Sequence, residues 1–380
     1  MKNILITSVI LIGSLFSQGP LDVLRPFWGF EHSQILSNSI GGATVASGYI
    51  TPGLTSNPAN LAAIQFGYIQ LNYSDSEFSS NTSNMTNTGF NGIDFVQPVP
   101  VYKGRLVFSA GGHKKIDFMS ASNNDSEKGK LSSYHLATAV EFSKNLYLGA
   151  DLRFLRGENE MIEDETNMIY YYKPRYSGAN LTFGLLHILS KNLQYGISID
   201  MPTSLSVEEQ YTELDHVDSD LSFSQVYNYD VKKPITFHAG AALLFKSINF
   251  FYEVEQTDWR NLEFLSDDYA LQDILDINDE IKDEFIRTIS HHFGAAMRLP
   301  IIPVHLFAGY QYLPVPFSPS SNQMYFNDIR ESYSFGVSVA IKKNITLQGS
   351  YDSYSWEFGE SPESFDKISV GISLHDISGF

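Results

Sequence analysis

The strongest constraint on this chain is a period-two alternation of apolar and polar residues, which returns in short segments along most of its length. Residues 193–199, 333–341 and 368–374 are clear examples. Successive side chains of a strand point to opposite faces, so each segment predicts a strand with one apolar and one polar face. Such strands fit both a two-sheet sandwich and a membrane barrel, and alternation alone leaves both open.

The connections between these segments favour the barrel. Short polar connections, such as 144–145, 191–192 and 343–344, alternate with long polar stretches near 74–88, 114–131, 157–174, 202–233, 259–288, 314–328 and 357–364. Short turns at one end and long loops at the other are typical of outer-membrane barrels, and a sandwich has no reason to alternate them. We therefore predict an all-β transmembrane outer-membrane β-barrel of about 14 antiparallel strands.

The beginning of the chain has the pattern of a secretory signal peptide, predicted over residues 1–17. Lys2 supplies a positive charge, an apolar run follows from Ile4 to Phe16, and Ser17 precedes Gln18 as a small-residue cleavage point. The run is shorter than the ~20 residues that a membrane-spanning helix needs. The chain also contains no cysteine, which excludes a lipid-anchored cysteine, disulfides and thiolate metal sites.

The net charge is −18, which argues against a nucleic-acid partner because no basic patch balances it. The acidic residues cluster in loop-like stretches, where they form either a solvated surface or a site for divalent cations that bridge the loops to anionic lipid headgroups. We interpret Trp259 and the many tyrosines at predicted strand ends as an aromatic girdle at the membrane interface.

The stretch from Ser39 to Ala63 fits neither a strand nor a helix, because four glycines and two prolines are spread among small residues. Its Gly41-Gly42 pair and its Asn57-Pro58-Ala59 sequence resemble the N-terminal hatch of the FadL/TodX family of outer-membrane hydrocarbon and long-chain fatty acid transport proteins. The later stretches 232–262, 291–319 and 333–356 also resemble that family. The resemblance spans nearly the whole chain after residue 17.

The resemblance implies three regions: the signal peptide at 1–17, an N-terminal segment and hatch at 18–64, and a 14-stranded barrel at 65–380. The hatch would plug the lumen, and the residues that match it are Gly41, Gly42, Asn57, Pro58 and Ala59. The final Phe380 resembles the C-terminal aromatic residue that the barrel assembly machinery recognises. Outer-membrane lipid and lipopolysaccharide are the surroundings that such a barrel implies.

Two further segments carry apolar residues with a possible functional role: the N-terminal segment and residues 267–288. If the hatch assignment holds, an apolar group near the N-terminus lies inside the barrel and is a candidate lining for a substrate pocket: Leu21, Leu24, Phe27, Trp28 and Phe30. Apolar residues also recur at helical spacing within 267–288, which predicts a helical insertion in an external loop. That helix either packs on the barrel mouth or gates it.

The sequence shows no phosphate-binding, serine-hydrolase or zincin motif, so we predict no catalytic residues, no cofactor and no metal site. His291 and His292 are adjacent, point to opposite faces of a strand, and are interpreted as strand-start residues near the rim. Glu253 and Glu255 share the lumen face. They could act as an acid/base pair, bind a cation, or accept hydrogen bonds from the hatch backbone or from arginines.

These observations lead to two functional hypotheses for a protein of the Gram-negative cell outer membrane. The first is a non-enzymatic channel for passive uptake of hydrophobic small molecules, either long-chain fatty acids or hydrocarbons, as the resemblance implies. The alternative is a PorV-like barrel of a type IX secretion system, which binds protein partners through its external loops. An open diffusion porin is disfavoured because a hatch would block its lumen.

Overall fold

A computed structural model of the protein describes residues 19–28, 30–31, 34–48, 56–102, 104–121, 125–164, 168–215, 222–318, 329–358 and 361–375. The predicted signal peptide at 1–17 and Phe380 lie outside these residues.

Fourteen antiparallel strands form a closed barrel, which confirms the predicted fold class and strand number. Each strand pairs with the next along the chain, and the last pairs with the first through the ladder from Ser364–Ser79 to His375–Tyr68. The strands are β1 (Tyr68–Ser79), β2 (Asn84–Pro100), β3 (Arg105–Ala121), β4 (Asp125–Ser143), β5 (Leu146–Asp164), β6 (Met168–Ser190), β7 (Leu193–Asp200 and Thr203–Asp215), β8 (Phe223–Lys233 and Thr236–Leu244), β9 (Ile248–Asp258), β10 (Arg287–Arg298), β11 (Val304–Pro314), β12 (Ile329–Lys342), β13 (Ile345–Phe358) and β14 (Ser361–His375).

Strands β7 and β8 are each interrupted once, at Pro202 and Pro234. A proline has no backbone N–H to donate to the ladder, which accounts for the breaks. Both sections of β7 pair with β6 on one side and with β8 on the other, so the barrel wall stays continuous across the interruptions.

Several strands are longer than the sequence predicts. Much of 114–131, 157–174 and 202–233, predicted as loops, belongs to strands β3 to β8, and β6 alone has 23 residues. These sections carry polar side chains on the outer face as well, such as exposed Lys130 and Arg175. They therefore lack the apolar alternation of the strand sections near the short turns, although the backbone ladder continues through them.

The outer wall carries a band of exposed apolar side chains between these polar sections and the short turns. On β4, outward-facing Leu136 and Phe142 are exposed, whereas lumen-facing Ser133 and His135 are buried. Other members of the band are Phe183, Ile197, Phe237, Phe293, Phe335 and Ile368. A closed barrel satisfies its backbone hydrogen bonds internally, so this band is suited to contact lipid.

The N-terminal part of the chain contributes the elements that pack against the lumen face. Helix α1 (Pro20–Leu24) runs into a 3₁₀ turn at Arg25–Phe27, and helix α2 (Ile35–Ser39) precedes a 3₁₀ helix at Pro58–Ala63. Phe30–Glu31 pairs with β3 through the Asp117 and Ile116 positions. None of the helices in the described residues is long and apolar enough to cross a membrane.

Helix α3 (Leu271–Glu284) lies within the predicted insertion at 267–288, in the loop between β9 and β10. Its buried face carries Ile277 and Ile281, which are four residues apart and so lie on one side of the helix. Asn278 anchors the helix, because its Oδ1 accepts a hydrogen bond from the Phe264 backbone N–H at 2.8 Å. The helix therefore covers the loop end of the barrel.

The interpretation of Trp259 as part of an interfacial girdle is wrong. Trp259 is buried within a 3₁₀ turn, Trp259–Asn261, and its Nε1 donates a hydrogen bond to the Thr288 hydroxyl at 3.0 Å. The turn directs the ring into the apolar cluster beneath α3. A tryptophan at a strand end in the sequence does not reveal the direction in which the following turn points.

The position of the apolar band predicts a depth-dependent cost for charge on the outer wall. We expect Ile197→Arg, in the middle of the band on β7, to lower the free energy of unfolding in lipid vesicles by about 2–4 kcal/mol. Ser206→Arg lies on the same strand within the polar outer section and should cost at most about 1 kcal/mol. Denaturant titration of both variants measures the difference, and equal losses would contradict this position of the band.

Candidate functional site

The predicted hatch residues lie in a segment that packs against the inner wall on several sides, defined here as the hatch segment (residues 34–48 and 56–64). Nearly all of its residues are buried, and Ile40, Val45 and Ala59 are completely inaccessible. Helix α2 contacts β11 to β14, and the 3₁₀ helix contacts β3 to β6. Because these strands lie on different sides of the barrel, the segment extends across the lumen.

Gly41 and Gly42 adopt left-handed backbone conformations with φ of 61° and 70°, a region that favours glycine. At Gly41 a Cβ atom would also lie 2.7 Å from the backbone N of Tyr310 and 2.8 Å from the carbonyl oxygen of Phe293. The pair therefore combines a tight turn with direct backbone contact to β10 and β11.

Asn57 joins the two parts of the hatch segment to each other and to the wall. Its Oδ1 accepts from the Ala59 N–H at 3.0 Å and so caps the 3₁₀ helix, in which Pro58 occupies the first position. Its Nδ2 donates to the Val45 carbonyl at 2.6 Å and to the Leu185 carbonyl of β6 at 2.9 Å. The structure thus brings Asn57, Pro58 and Ala59 together in one buried turn.

The wall opposite the hatch segment is lined with glycines. At Gly294 a Cβ atom would lie 2.6 Å from the Ile40 carbonyl oxygen, and at Gly149 it would lie 2.5 Å from the backbone N of Ala59. Eight such glycines, one on each of eight strands, face hatch atoms in this way: Gly149, Gly184, Gly196, Gly240, Gly294, Gly309, Gly336 and Gly371. These positions allow the hatch backbone to lie directly on the strands.

Polar side chains of the wall form hydrogen bonds with the hatch segment. Glu253 on β9 accepts hydrogen bonds from the backbone N–H groups of Thr44 and Val45, both at 2.7 Å, through Oε2. His238 donates to the other carboxylate oxygen of Glu253 at 3.0 Å. Of the roles left open for Glu253, the structure therefore shows a hydrogen bond to the hatch backbone.

His292 is a second anchor that the sequence did not identify. It lies within β10 and not at its start, and its Nδ1 donates to the Gly41 carbonyl at 3.0 Å. The neighbouring His291 points outward and bonds to the Tyr252 hydroxyl at 2.9 Å. The opposite orientations of the two histidines are confirmed, whereas their predicted position at the start of a strand near the rim is wrong.

The apolar N-terminal residues form a separate layer at the loop end. Leu24 is fully buried, and Leu21, Phe27 and Trp28 are half-buried against the same apolar cluster as α3. The Trp28 ring meets Phe317 edge-on with centroids 5.2 Å apart. The side chain of Phe30, the fifth predicted pocket residue, lies outside the described residues.

One charged side chain accompanies this apolar layer. Burial lowers the pKa of Arg25, but the carboxylates of Glu127 and Asp22 outweigh burial and raise the pKa above its ordinary value. The guanidinium lies 3.4 Å from Asp22 and 3.8 Å from Glu127. Arg25 therefore remains a cation and ties the start of the chain to strand β4.

Two cavities lie on opposite sides of the hatch segment. A polar cavity of about 150 Å³ is lined by Gly42 and Thr44 of the hatch segment and by wall residues that include His113, Arg153 and His238. A wider cavity of about 660 Å³ at the short-turn end is lined by Leu36 of the hatch segment together with Phe245 and Phe307 among others. Residues of the hatch segment therefore line both cavities.

One group among the described residues has the composition of a metal site. Asp94, His113 and His135 come from three neighbouring strands and each offers a ligand atom within 4.8 Å of the others. The sequence did not reveal this group, since about 20 residues separate each member from the next and only the β2–β3–β4 register brings them together.

The glycine-lined wall predicts that one added methyl group displaces the hatch segment. Gly294→Ala would place its Cβ against Ile40, so we expect faster proteolytic cleavage within residues 34–48 of the folded barrel. Gly89→Ala is the matched control, because nothing lies within 4 Å of a Cβ at that strand position. Limited proteolysis followed by mass spectrometry compares the two, and identical cleavage rates would show that the wall has room for the methyl group.

Comparisons with known proteins bear on this fold. No protein-family profile and no curated protein sequence matches the chain. The CymD monoaromatic hydrocarbon channel is similar in structure, with 14% sequence identity, a TM-score of 0.68, and coverage of 90% of this chain and 97% of that chain.

Two further solved structures give the same result. A FadL homologue of Pseudomonas aeruginosa is 11% identical, with a TM-score of 0.70 and coverage of 91% of this chain and 99% of that chain. The toluene transporter TodX of Pseudomonas putida is 13% identical, with a TM-score of 0.63 and coverage of 92% and 99%. In fold, and over nearly its whole length, this chain resembles the FadL/TodX family of outer-membrane channels.

Proposed function

We propose that the protein is an outer-membrane channel of a Gram-negative bacterium for passive uptake of hydrophobic small molecules, either hydrocarbons or long-chain fatty acids. The observation that carries this proposal is a closed barrel whose lumen is crossed by a separate, densely packed hatch segment, with an apolar cluster on its loop side. The structural neighbours described as hydrocarbon channels and transporters support the same class of solute.

The order of the layers gives a route for an apolar solute. Leu21, Leu24, Phe27 and Trp28 lie beneath α3, where an incoming solute would leave water for an apolar environment. The polar cavity and the hatch segment follow, and then the wider cavity at the short-turn end. Capture at the loop end would need no energy source, because the concentration gradient across the membrane drives the flux.

The hatch segment must shift or a wall contact must open for a solute to pass. The polar contacts that would have to break include Glu253 with Thr44 and Val45, His292 with Gly41, and Gln194 with Ala46. Elsewhere the hatch segment lies against wall glycines, which present no side chain, and its apolar side chains pack against wall residues such as Leu186 and Phe307. A small displacement of the hatch segment would therefore open a path without unfolding the barrel.

The alternative of a PorV-like partner-binding barrel has weaker support. The solved structures that resemble the chain are described as hydrocarbon channels, a toluene transporter and a FadL homologue. Lipopolysaccharide around the apolar band, and the barrel assembly machinery during biogenesis, remain proposed partners that follow from an outer-membrane location.

Binding of an apolar ligand tests the proposed capture site directly. We expect detergent-purified protein to bind a radiolabelled fatty acid or toluene saturably, and the double variant Phe27→Ala with Trp28→Ala to bind it at least about tenfold more weakly, because two large apolar contact surfaces are lost. Phe183→Ala removes an aromatic ring of the same kind from the outer band and should bind like the unmodified protein.

Absence of saturable binding for both ligands in folded protein would overturn the proposal, and the search would turn to protein partners at the loops. An equal loss in Phe183→Ala would show that the label partitions on the outer wall and not in the lumen.

Loss of the Glu253 anchor should loosen the hatch segment. Glu253→Gln replaces two charge-assisted hydrogen bonds with weaker neutral ones, so we expect larger single-channel conductance or more frequent openings in planar bilayers. Glu208→Gln, on the exposed outer wall, is the matched control. Conductance that stays unchanged in Glu253→Gln would show that Glu253 does not hold the hatch segment closed.

A further inference from the structure

We propose that Asp94, His113 and His135 form a binding site for a first-row divalent transition-metal cation of the Zn²⁺ class on the inner wall. Imidazole nitrogen with one carboxylate oxygen is a donor set that suits Zn²⁺, Cu²⁺, Fe²⁺ or Ni²⁺, whereas Ca²⁺ and Mg²⁺ prefer oxygen ligands alone. The inference does not depend on the proposed transport function.

The register of three strands creates the group. Asp94 on β2 lies opposite Gly111 on β3, and Gly111 lies opposite His135 on β4, while His113 is two residues further along the same face of β3. The three ligand atoms lie within 4.8 Å of one another. Zinc bonds of about 2.0–2.1 Å place tetrahedral ligands roughly 3.4 Å apart, so small side-chain rotations close the site.

Gly111 leaves the space that the cation would use. A Cβ atom at this position would lie 2.6 Å from Asp94 Oδ1 and 2.7 Å from His135 Cε1. Any side chain here would separate the carboxylate from the imidazole across the strand. The glycine therefore allows both ligands to lean over β3 toward a common point.

Two members of the group are buried, and two of its polar atoms lack a hydrogen bond to any of the described residues. Asp94 and His135 are only 1% and 2% exposed. Within the described part of the chain, Asp94 Oδ1 and His135 Nδ1 have no hydrogen-bond partner, although buried polar atoms are normally paired, and Oδ1 lies 3.6 Å from His135 Nε2. A bound cation would coordinate the carboxylate oxygen and offset the desolvation free energy of the buried carboxylate.

Neighbouring polar groups contact two of the ligands. Gln34 donates from Nε2 to Asp94 Oδ2 at 3.0 Å, and the Ser109 hydroxyl lies 3.2 Å from His135 Nε2, the nitrogen that is 3.6 Å from Asp94 Oδ1. Such contacts around the ligands are typical of metal sites and adjust ligand direction and affinity. Gln34 immediately precedes helix α2, so the cation would also stiffen the attachment of the hatch segment to β2.

Access and charge also fit a cation. His113 lines the polar cavity of about 150 Å³, which gives access to the group and room for the remaining coordination positions. The charged side chains that line this cavity are the cations Lys115, Arg153 and Lys233 and the carboxylates Asp200, Glu253 and Glu255. The Arg153 guanidinium is held by Asp151 at 2.6 Å. Water, or a donor atom of a solute in the cavity, would complete the coordination.

Metal titration of the full-length protein in detergent tests the site. After dialysis against a chelator, we expect isothermal titration to show one tight Zn²⁺ equivalent, and Co²⁺ to produce the visible absorption of a cation bound by nitrogen and oxygen. Asp94→Asn and His135→Ala should each weaken binding by about tenfold or more, since even outer-shell changes have effects of that size. Gln34→Ala should weaken it less.

Two matched histidine variants control for unspecific binding. His238→Ala removes another buried lumen histidine beside carboxylates, and His305→Ala removes one at the short-turn end; both should retain the tight equivalent. Asp94→Asn keeps the shape of the side chain, so it tests the site even if His135→Ala does not fold.

Absence of a tight equivalent in folded unmodified protein would overturn the proposal. So would equal loss in His238→Ala, or retention of the Co²⁺ absorption in both Asp94→Asn and His135→Ala.

Discussion

The rest of this structure depends on the closure of the strand ladder between β14 and β1. Closure pairs the backbone N–H and C=O groups of the wall internally, so the outer face can be apolar and still carry no unpaired backbone. The same ladder sorts the side chains, because alternate residues must face the lumen. Within the apolar band most polar side chains of the strands therefore lie on the inner surface, and that surface determines what can be packed inside.

The hatch segment packs against the lumen wall through buried apolar side chains and through close backbone contacts. Backbone lies on glycine at Gly294, Gly309 and other wall positions, which brings two polypeptide segments into close contact without interlocking side chains. Directional strength comes instead from a few groups such as Glu253, whose single carboxylate oxygen receives two backbone N–H groups. Close packing and these directed hydrogen bonds together fix the position of the hatch segment against the wall.

Much of this arrangement was predictable, and the failures have identifiable causes. The strand number followed from period-two alternation and from connection lengths, and helix α3 from helical spacing. The sections of β6 to β8 near the long loops were missed because a stretch with polar residues on both faces resembles a loop in sequence. Backbone pairing, however, needs no apolar face. Trp259 was misplaced because a 3₁₀ turn reversed its direction. Glu253 could be placed on the lumen face but not against Thr44 and Val45, since that contact spans about 200 residues of chain.

The sequence by itself determined the face to which each strand residue points, because successive side chains of a strand alternate between its two faces. It also determined that glycines occupy the hatch turn. Only the tertiary structure decided which residues meet across the lumen. Asp94, Gly111 and His135 share a row because strand register aligns them, and register depends on the summed pairing of three whole strands and on the length of each turn. Local sequence patterns do not reveal the register of the strands. Which ligands from separate strands lie close together is therefore seen only in the closed barrel.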